Sequence, residues 1–178
     1  MHTLPIFRID TTGLPPFRCF LPLLIGAPPP TTSSSSSSSP SGSLRYLDLS
    51  ENSILSDLSR IPNLAVALGQ VRVLKLKKTD VTNESIVFAA ATGALRHVEH
   101  LDLSRVMHLS DSALIAIARG CPRLQNLSIS HIKNASLSDA SIFEMGTRCA
   151  SHLAVLDFSH TRGRITDRAI AQRVMTDH

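Results

Sequence analysis

The chain has 178 residues, of which 43% are apolar, 18% charged and only 4% aromatic, with no Trp and a single Tyr. A core of that composition is aliphatic, and modules that stack nucleobases on aromatic platforms are excluded. The 18 Lys and Arg against 14 Asp and Glu leave a formal charge of +4, too mild an excess to name a polyanionic partner.

Residues 1–27 hold several apolar side chains, but Pro5, Pro15, Pro16 and Pro22 forbid a continuous helix and leave no clean period. This segment reads as poorly structured. Its most apolar stretch, residues 20–27 (FLPLLIGA), is far short of the roughly 18 apolar residues of a membrane span. It also follows Arg8, Asp10 and Arg18, which do not make the leading part of a signal peptide, so no membrane partner is expected. Residues 28–43 run through three prolines, two threonines, seven serines, Pro40, Ser41, Gly42 and Ser43. Such a segment buries too little apolar surface to offset its ordering entropy and reads as a disordered linker. Cys19, Cys121 and Cys149 are too few and odd in number for a disulfide framework. Reduced, buried thiols and an intracellular location, cytoplasmic or nuclear, are the expectation.

From Leu44 onward one pattern recurs five times: Leu44, Leu47 and Leu49; Val71, Leu74 and Leu76; Val98, Leu101 and Leu103; Leu124, Leu127 and Ile129; Leu153, Leu156 and Phe158. The intervals are 27, 27, 26 and 29 residues, dividing the chain into repeats 44–70, 71–97, 98–123, 124–152 and 153–178. The alternation at the end of each motif predicts a short strand with one buried face.

A second element follows each strand: Val81-Thr82-Asn83, Leu109-Ser110-Asp111, Leu137-Ser138-Asp139 and Ile165-Thr166-Asp167, with a looser Leu55-Ser56-Asp57 in the first repeat. The Ser or Thr is a helix N-cap, and the acid beside it suits the positive end of the helix dipole. Apolar stripes at helical spacing come next: Ile86, Ala89, Ala90 and Gly93; Leu114, Ile117, Ala118 and Cys121; Ile142, Met145, Gly146 and Cys149. The first repeat predicts only a weak helix, with Pro62 in its first turn and Leu64, Ala67 and Leu68 as its stripe. The fifth carries Arg173 where its predecessors have Ile117 and Met145.

One short strand and one helix cannot form a core alone, so units of 26–29 residues must stack. The predicted class is α/β, a leucine-rich-repeat solenoid or horseshoe with one short parallel strand and one helix per repeat. The motif, the Ser/Thr-Asp pair, the helix and then Cys121-Pro122 or Cys149 before the next strand resemble the cysteine-containing leucine-rich-repeat subtype. That subtype is typical of F-box/leucine-rich-repeat proteins and of the related antagonist-of-mitotic-exit family. The resemblance implies buried structural roles for Cys121 and Cys149. Neither end shows a polar capping repeat, which leaves open an array that continues, or ends covered by a partner or by the tail.

Alternation sends three columns outward from the sheet: Tyr46, Val73, His100, Asn126 and Val155; Asp48, Lys75, Asp102, Ser128 and Asp157; Ser50, Lys77, Ser104, Ser130 and Ser159. A fourth set, Glu51, Lys78, Arg105, His131 and His160, sits where each strand leaves the sheet. Lys75 between Asp48 and Asp102 predicts a cross-strand charge ladder worth about 0.2–1 kcal/mol per pair. The partner-binding candidates are Tyr46, Asp48, Lys75, Lys77, His100, Asp102, Arg105, Asn126, His131, Asp157 and His160, with Tyr46 and Arg105 as the larger anchors. The basic cluster Arg72, Lys75, Lys77 and Lys78 lies in one repeat and reads as a solvated face, not a nucleic-acid site.

No catalytic chemistry, cofactor or metal is expected. His100, Asp102 and Ser104 share one strand face, but residues at i and i+2 are about 6.6 Å apart with parallel side chains. No nucleophile-to-base contact is built in. His131 and His160 lack a placed carboxylate or thiol as a third ligand. The expected function is a protein–protein interaction module that binds its partner on the concave face. Resemblance to F-box proteins implies substrate recognition related to SCF-type ubiquitin ligases, with ligase components as partners, although residues 1–43 do not read as the three-helix F-box. The alternative is a scaffold or regulator that sequesters its partner without a ligase.

Overall fold

The computed structural model describes residues 6–8, 44–53, 55–61, 63–107, 109–132, 136–161 and 165–166. Most of the N-terminal segment, the 28–43 linker, Cys19, Pro62 and the fifth helix region with Arg173 lie outside the described residues. The chain is α/β, a parallel sheet with a helix after most strands. In order the elements are β1 (Ile6–Arg8), β2 (Tyr46–Asp48), a 3-10 turn (Leu58–Arg60), α1 (Leu64–Ala67), β3 (Val73–Lys75), α2 (Asn83–Ala91), β4 (His100–Asp102), α3 (Asp111–Gly120), β5 (Asn126–Ser128), α4 (Asp139–Cys149) and β6 (Val155–Asp157). The strands lie side by side in chain order, all parallel. β1, drawn from the segment read as poorly structured, pairs with β2 across the linker.

Each strand of the repeats is three residues because only its middle side chain faces the core. Leu47, Leu74, Leu101 and Leu127 are buried there, flanked by the buried first and last apolar residues of each motif. Full burial of one such side chain stabilises by roughly 1.5–3 kcal/mol. Hydrogen bonding outlasts the strands: Leu49, Leu76, Leu103 and Ile129 donate backbone N–H to Lys75, Asp102, Ser128 and Asp157 carbonyls at 2.7–2.9 Å. Two residues later Glu51, Lys78, Arg105 and His131 donate to Lys77, Ser104, Ser130 and Ser159 at 2.8–2.9 Å.

Those last donors, with His160, all have left-handed backbone, φ 55–63°. None is Gly or Asn, so each holds a conformation costing about 1–2 kcal/mol for an L residue. The turn is over-determined from both sides. Ahead of it, Asp48, Asp102 and Asp157 accept the Ser50, Ser104 and Ser159 N–H through Oδ1 at 2.9–3.0 Å. Behind it, Asn52, Thr79, Val106 and Ile132 are buried in one further column. Thr79 satisfies its hydroxyl by donating to the Leu76 carbonyl at 2.7 Å. In the third column Ser104 and Ser130 are covered by neighbouring hydroxyls, at 6% and 7% exposure, while Lys77 and Ser159 are exposed.

The helices start where the Ser/Thr-Asp pairs place them, with Thr82, Ser110 and Ser138 as N-caps. Most of their expected stripes are buried: Ile86, Ala89 and Ala90; Leu114, Ile117, Ala118 and Cys121; Ile142, Met145 and Cys149. Gly146 departs from its stripe, partly exposed with open space where a Cβ would stand. Gly93 departs from its stripe. It lies beyond α2 at φ 73°, its N–H bonded to Ala90 and the Ala94 N–H to Ala89, a Schellman cap in which glycine meets the positive φ. The weak first helix is a single turn, α1, preceded by the 3-10 turn that Asp57 caps through the Ser59 N–H. The buried Ser85 of α2 accepts the Leu58 N–H and so ties that turn to the next unit.

The same pair also staples successive units, a role not anticipated from the sequence. Asp111 accepts the Ser138 N–H at 2.8 Å and its hydroxyl at 2.5 Å. Asp139 does the same for Thr166 at 2.7 and 2.7 Å, and Asn83 for Ser110 at 3.3 and 2.7 Å. Burial pushes the Asp111 carboxyl up, but the hydroxyls of Ser138 and Ser141 and the Ser138 N–H outweigh it and hold Asp111 below its ordinary value. Packing between helices is close: a Cβ on Gly120 would lie 2.7 Å from the Ala90 carbonyl oxygen and 2.8 Å from its Cβ.

Candidate functional site

The sheet face opposite the helices carries the candidate residues. Register aligns Tyr46, Val73, His100, Asn126 and Val155 in one column and Asp48, Lys75, Asp102, Ser128 and Asp157 in the next. Both columns are at least partly exposed, as alternation predicts. Between them β3 to β6 enclose a shallow hollow of about 270 Å³ floored by Leu74, Leu101 and Leu127. Lys77, Arg105, His131 and His160 are exposed beyond the strand ends, one row away.

The charge ladder takes a different form from the one expected. The Lys75 ammonium lies over the Tyr46 ring, 5.4 Å from its centroid. Hydrogen bonding to Tyr46, ahead of the Coulombic pull of Asp48 and Asp102, holds Lys75 above its ordinary value against the effect of burial. Asp48 and Asp102 each accept a backbone N–H of their own turn through Oδ1. Toward β6 the face is a hydroxyl network: Ser104 and Ser128 Oγ atoms are 2.7 Å apart, Ser130 donates to Ser104 at 3.2 Å, and Ser128 donates to Asp157 at 3.3 Å. The Ser159 N–H and hydroxyl lead the bonds that keep the Asp157 carboxyl below its ordinary value, so it is ionised at neutral pH.

Of His100, Asp102 and Ser104, Asp102 closes its turn on the Ser104 N–H, and the Ser104 hydroxyl is bonded to those of Ser128 and Ser130. His131 and His160 are brought together as their spacing predicts, ring centroids 4.6 Å apart and tilted by 38°. Among the described residues no group of three metal-ligating side chains converges. Cys121 and Cys149 are buried thiols, and Cys149 Sγ donates to the Ala118 carbonyl at 3.7 Å. Burial, and secondarily the neighbouring Cys149, pushes the Cys121 thiol far above the ordinary range, so it is protonated at neutral pH. No helix among the described residues is long and apolar enough to cross a membrane.

Sequence reasoning placed the columns but missed the left-handed row and the staples. A signal for the staples was present, since the acid of each Ser/Thr-Asp pair recurs at the interval of the repeat. No family model matches the chain. Over 132 residues, 73% of the chain, it is 33% identical to Antagonist of mitotic exit network protein 1 of Eremothecium gossypii. The chain spans about a third, 32%, of that protein's length. It is thus a distant partial homologue of a protein whose name describes regulation of mitotic exit.

Proposed function

We propose that the chain is a leucine-rich-repeat solenoid acting inside the cell as a protein–protein interaction module, with no chemistry of its own. Its partner lies on the concave face formed by β2 to β6. The observation that carries this reading is the register. Five short strands present Tyr46, Lys75, His100, Asn126 and Asp157 as one continuous surface of mixed charge, hydrogen-bonding groups and one aromatic anchor. A regulatory role is supported by the name of the distant homologue. It favours sequestration of a partner over the second reading, substrate recognition for an SCF-type ubiquitin ligase.

Two measurements test this. Affinity enrichment with the full chain is compared with Lys75→Glu and Asn126→Arg on the open face, and with Phe143→Ser on the helix side, where Phe143 is 55% exposed. Loss of the same partner from both open-face variants and its retention by Phe143→Ser is the expected result. Retention by all three overturns the reading. Direct binding of the full chain to the ubiquitin-ligase adaptor would move the role from sequestration to ligase-linked recognition.

A further inference from the structure

Glu51, Lys78, Arg105, His131 and His160 stand in one row along the edge of the open face, one per unit, at the strand spacing of about 4.8 Å. After Glu51, whose carboxylate lies 4.0 Å from Lys78 Nζ, every member of the row is a cation or an imidazole, and Lys77 flanks it. All of these side chains are exposed. The turn itself asks for none of them. It is built by backbone N–H groups and carbonyls, joined by the Asp48, Asp102 and Asp157 side chains in the turns at Glu51, Arg105 and His160, and glycine would meet its φ without strain. Five non-glycine side chains therefore hold this conformation at a cost, and from Lys78 onward they are two cations and two imidazoles, which is the kind of outlier that points to use.

We propose that this row is the docking line for a carboxylate-rich segment of a protein partner, laid across the strands from Lys78 to His160. The proposal rests on the open face being the partner surface and names what that partner must carry. Lys77, Lys78 and Arg105 supply charge-assisted hydrogen bonds, and the paired imidazoles of His131 and His160 extend the line. The adjoining column decides against a nucleic acid. Asp102 and Asp157 lie just inside the row, where a peptide can offer backbone N–H or hydroxyl donors between its carboxylates and a phosphate backbone, charged at every residue, has none to offer.

The test uses the full chain and three fluorescent probes of equal length, octaglutamate, octalysine and an eight-residue oligothymidylate, followed by anisotropy at low salt. Lys78→Gly/Arg105→Gly deletes two cations while relieving the φ of both turns; Lys78→Gln/Arg105→Gln removes the charge at nearly constant size. Octaglutamate should bind in preference to octalysine and to the oligonucleotide. Its affinity should fall about tenfold or more in both double variants and weaken as salt shortens the screening length. Unchanged octaglutamate binding in the variants, or no preference over octalysine, overturns the proposal. Tighter binding of the oligonucleotide overturns it too and makes the row a nucleic-acid surface. In each of these cases loss of partner by Lys75→Glu and Asn126→Arg would leave the open-face reading standing, which separates the two failures.

Discussion

At Arg105 the backbone is left-handed at φ 60°, and its N–H is bonded to Ser130 at 2.9 Å. Replacement by glycine removes about 1–2 kcal/mol of strain and adds back roughly 0.5–1 kcal/mol of unfolded-chain entropy. Arg105→Gly is therefore expected to unfold in urea within about 1 kcal/mol of the native chain. Arg105→Val puts a β-branched side chain where even an unbranched one is strained, and should lose about 1–2 kcal/mol. Equal midpoints for the Gly and Val variants would show that the left-handed turn is not held in solution. Little in the residue types announced this turn: of Glu, Lys, Arg and His only His is enriched in left-handed backbone, and the shared offset from each strand is what marks the others. Alternation likewise does not say that Ser104 and Ser130 are covered, because that needs the stacking that brings the hydroxyls of Ser104, Ser128 and Ser130 together.

Helix starts were legible because a capping residue, an acid and a 3.6-residue period agree locally. What the pair does between units was not, because it needs the stacking that brings Asp111 to Ser138. The ordinary Asp value is 3.8 and the folded value of Asp111 lies below it, so its stabilisation is complete above pH 3.8 and is lost as pH falls through the lower folded value. Asp111→Asn should unfold near the native midpoint at neutral pH, since Asn83 already holds Ser110 in the same way. It should also show a shallower loss of stability on acidification below pH 3.8. Asp111→Ala, which orphans the Ser138 groups, should cost about 1–2 kcal/mol at pH 7. The helix layer offers a paired measurement. Gly120→Ala drives a Cβ against the Ala90 backbone and is expected to cost about 1–3 kcal/mol. Gly146→Ala, in α4 with nothing within 4 Å of the new Cβ, should stabilise by about 0.5–1 kcal/mol. Similar thermal shifts for the two would contradict the close approach of α2 and α3.

Across the whole molecule the two edges of the sheet differ. Strand β1 pairs along β2, and Leu47 and Leu49 are as buried as the residues of a central unit. Composition could not foresee this, because the pairing reaches across a Pro/Ser-rich linker from a segment with no period of its own. At the other edge Val155 is 51% exposed, and Leu156 and Phe158 are only half-buried where Leu127 and Ile129 are sealed. The 3-10 turn, α2, α3 and α4 pack in chain order and each strand on the next, so stability is a sum of unit and nearest-neighbour interface terms. Opening should then begin at β6 and move inward. Native-state hydrogen exchange reads this order directly. The Leu103 N–H, bonded to Ser128 within the stack, should exchange slowest. The Ile129 N–H, bonded to Asp157 of β6, should exchange faster, and the Val155 N–H fastest of the three. Equal protection at Leu103, Ile129 and Val155 would mean that the units open as one, and that something beyond β6 closes the edge as firmly as β1 closes the other.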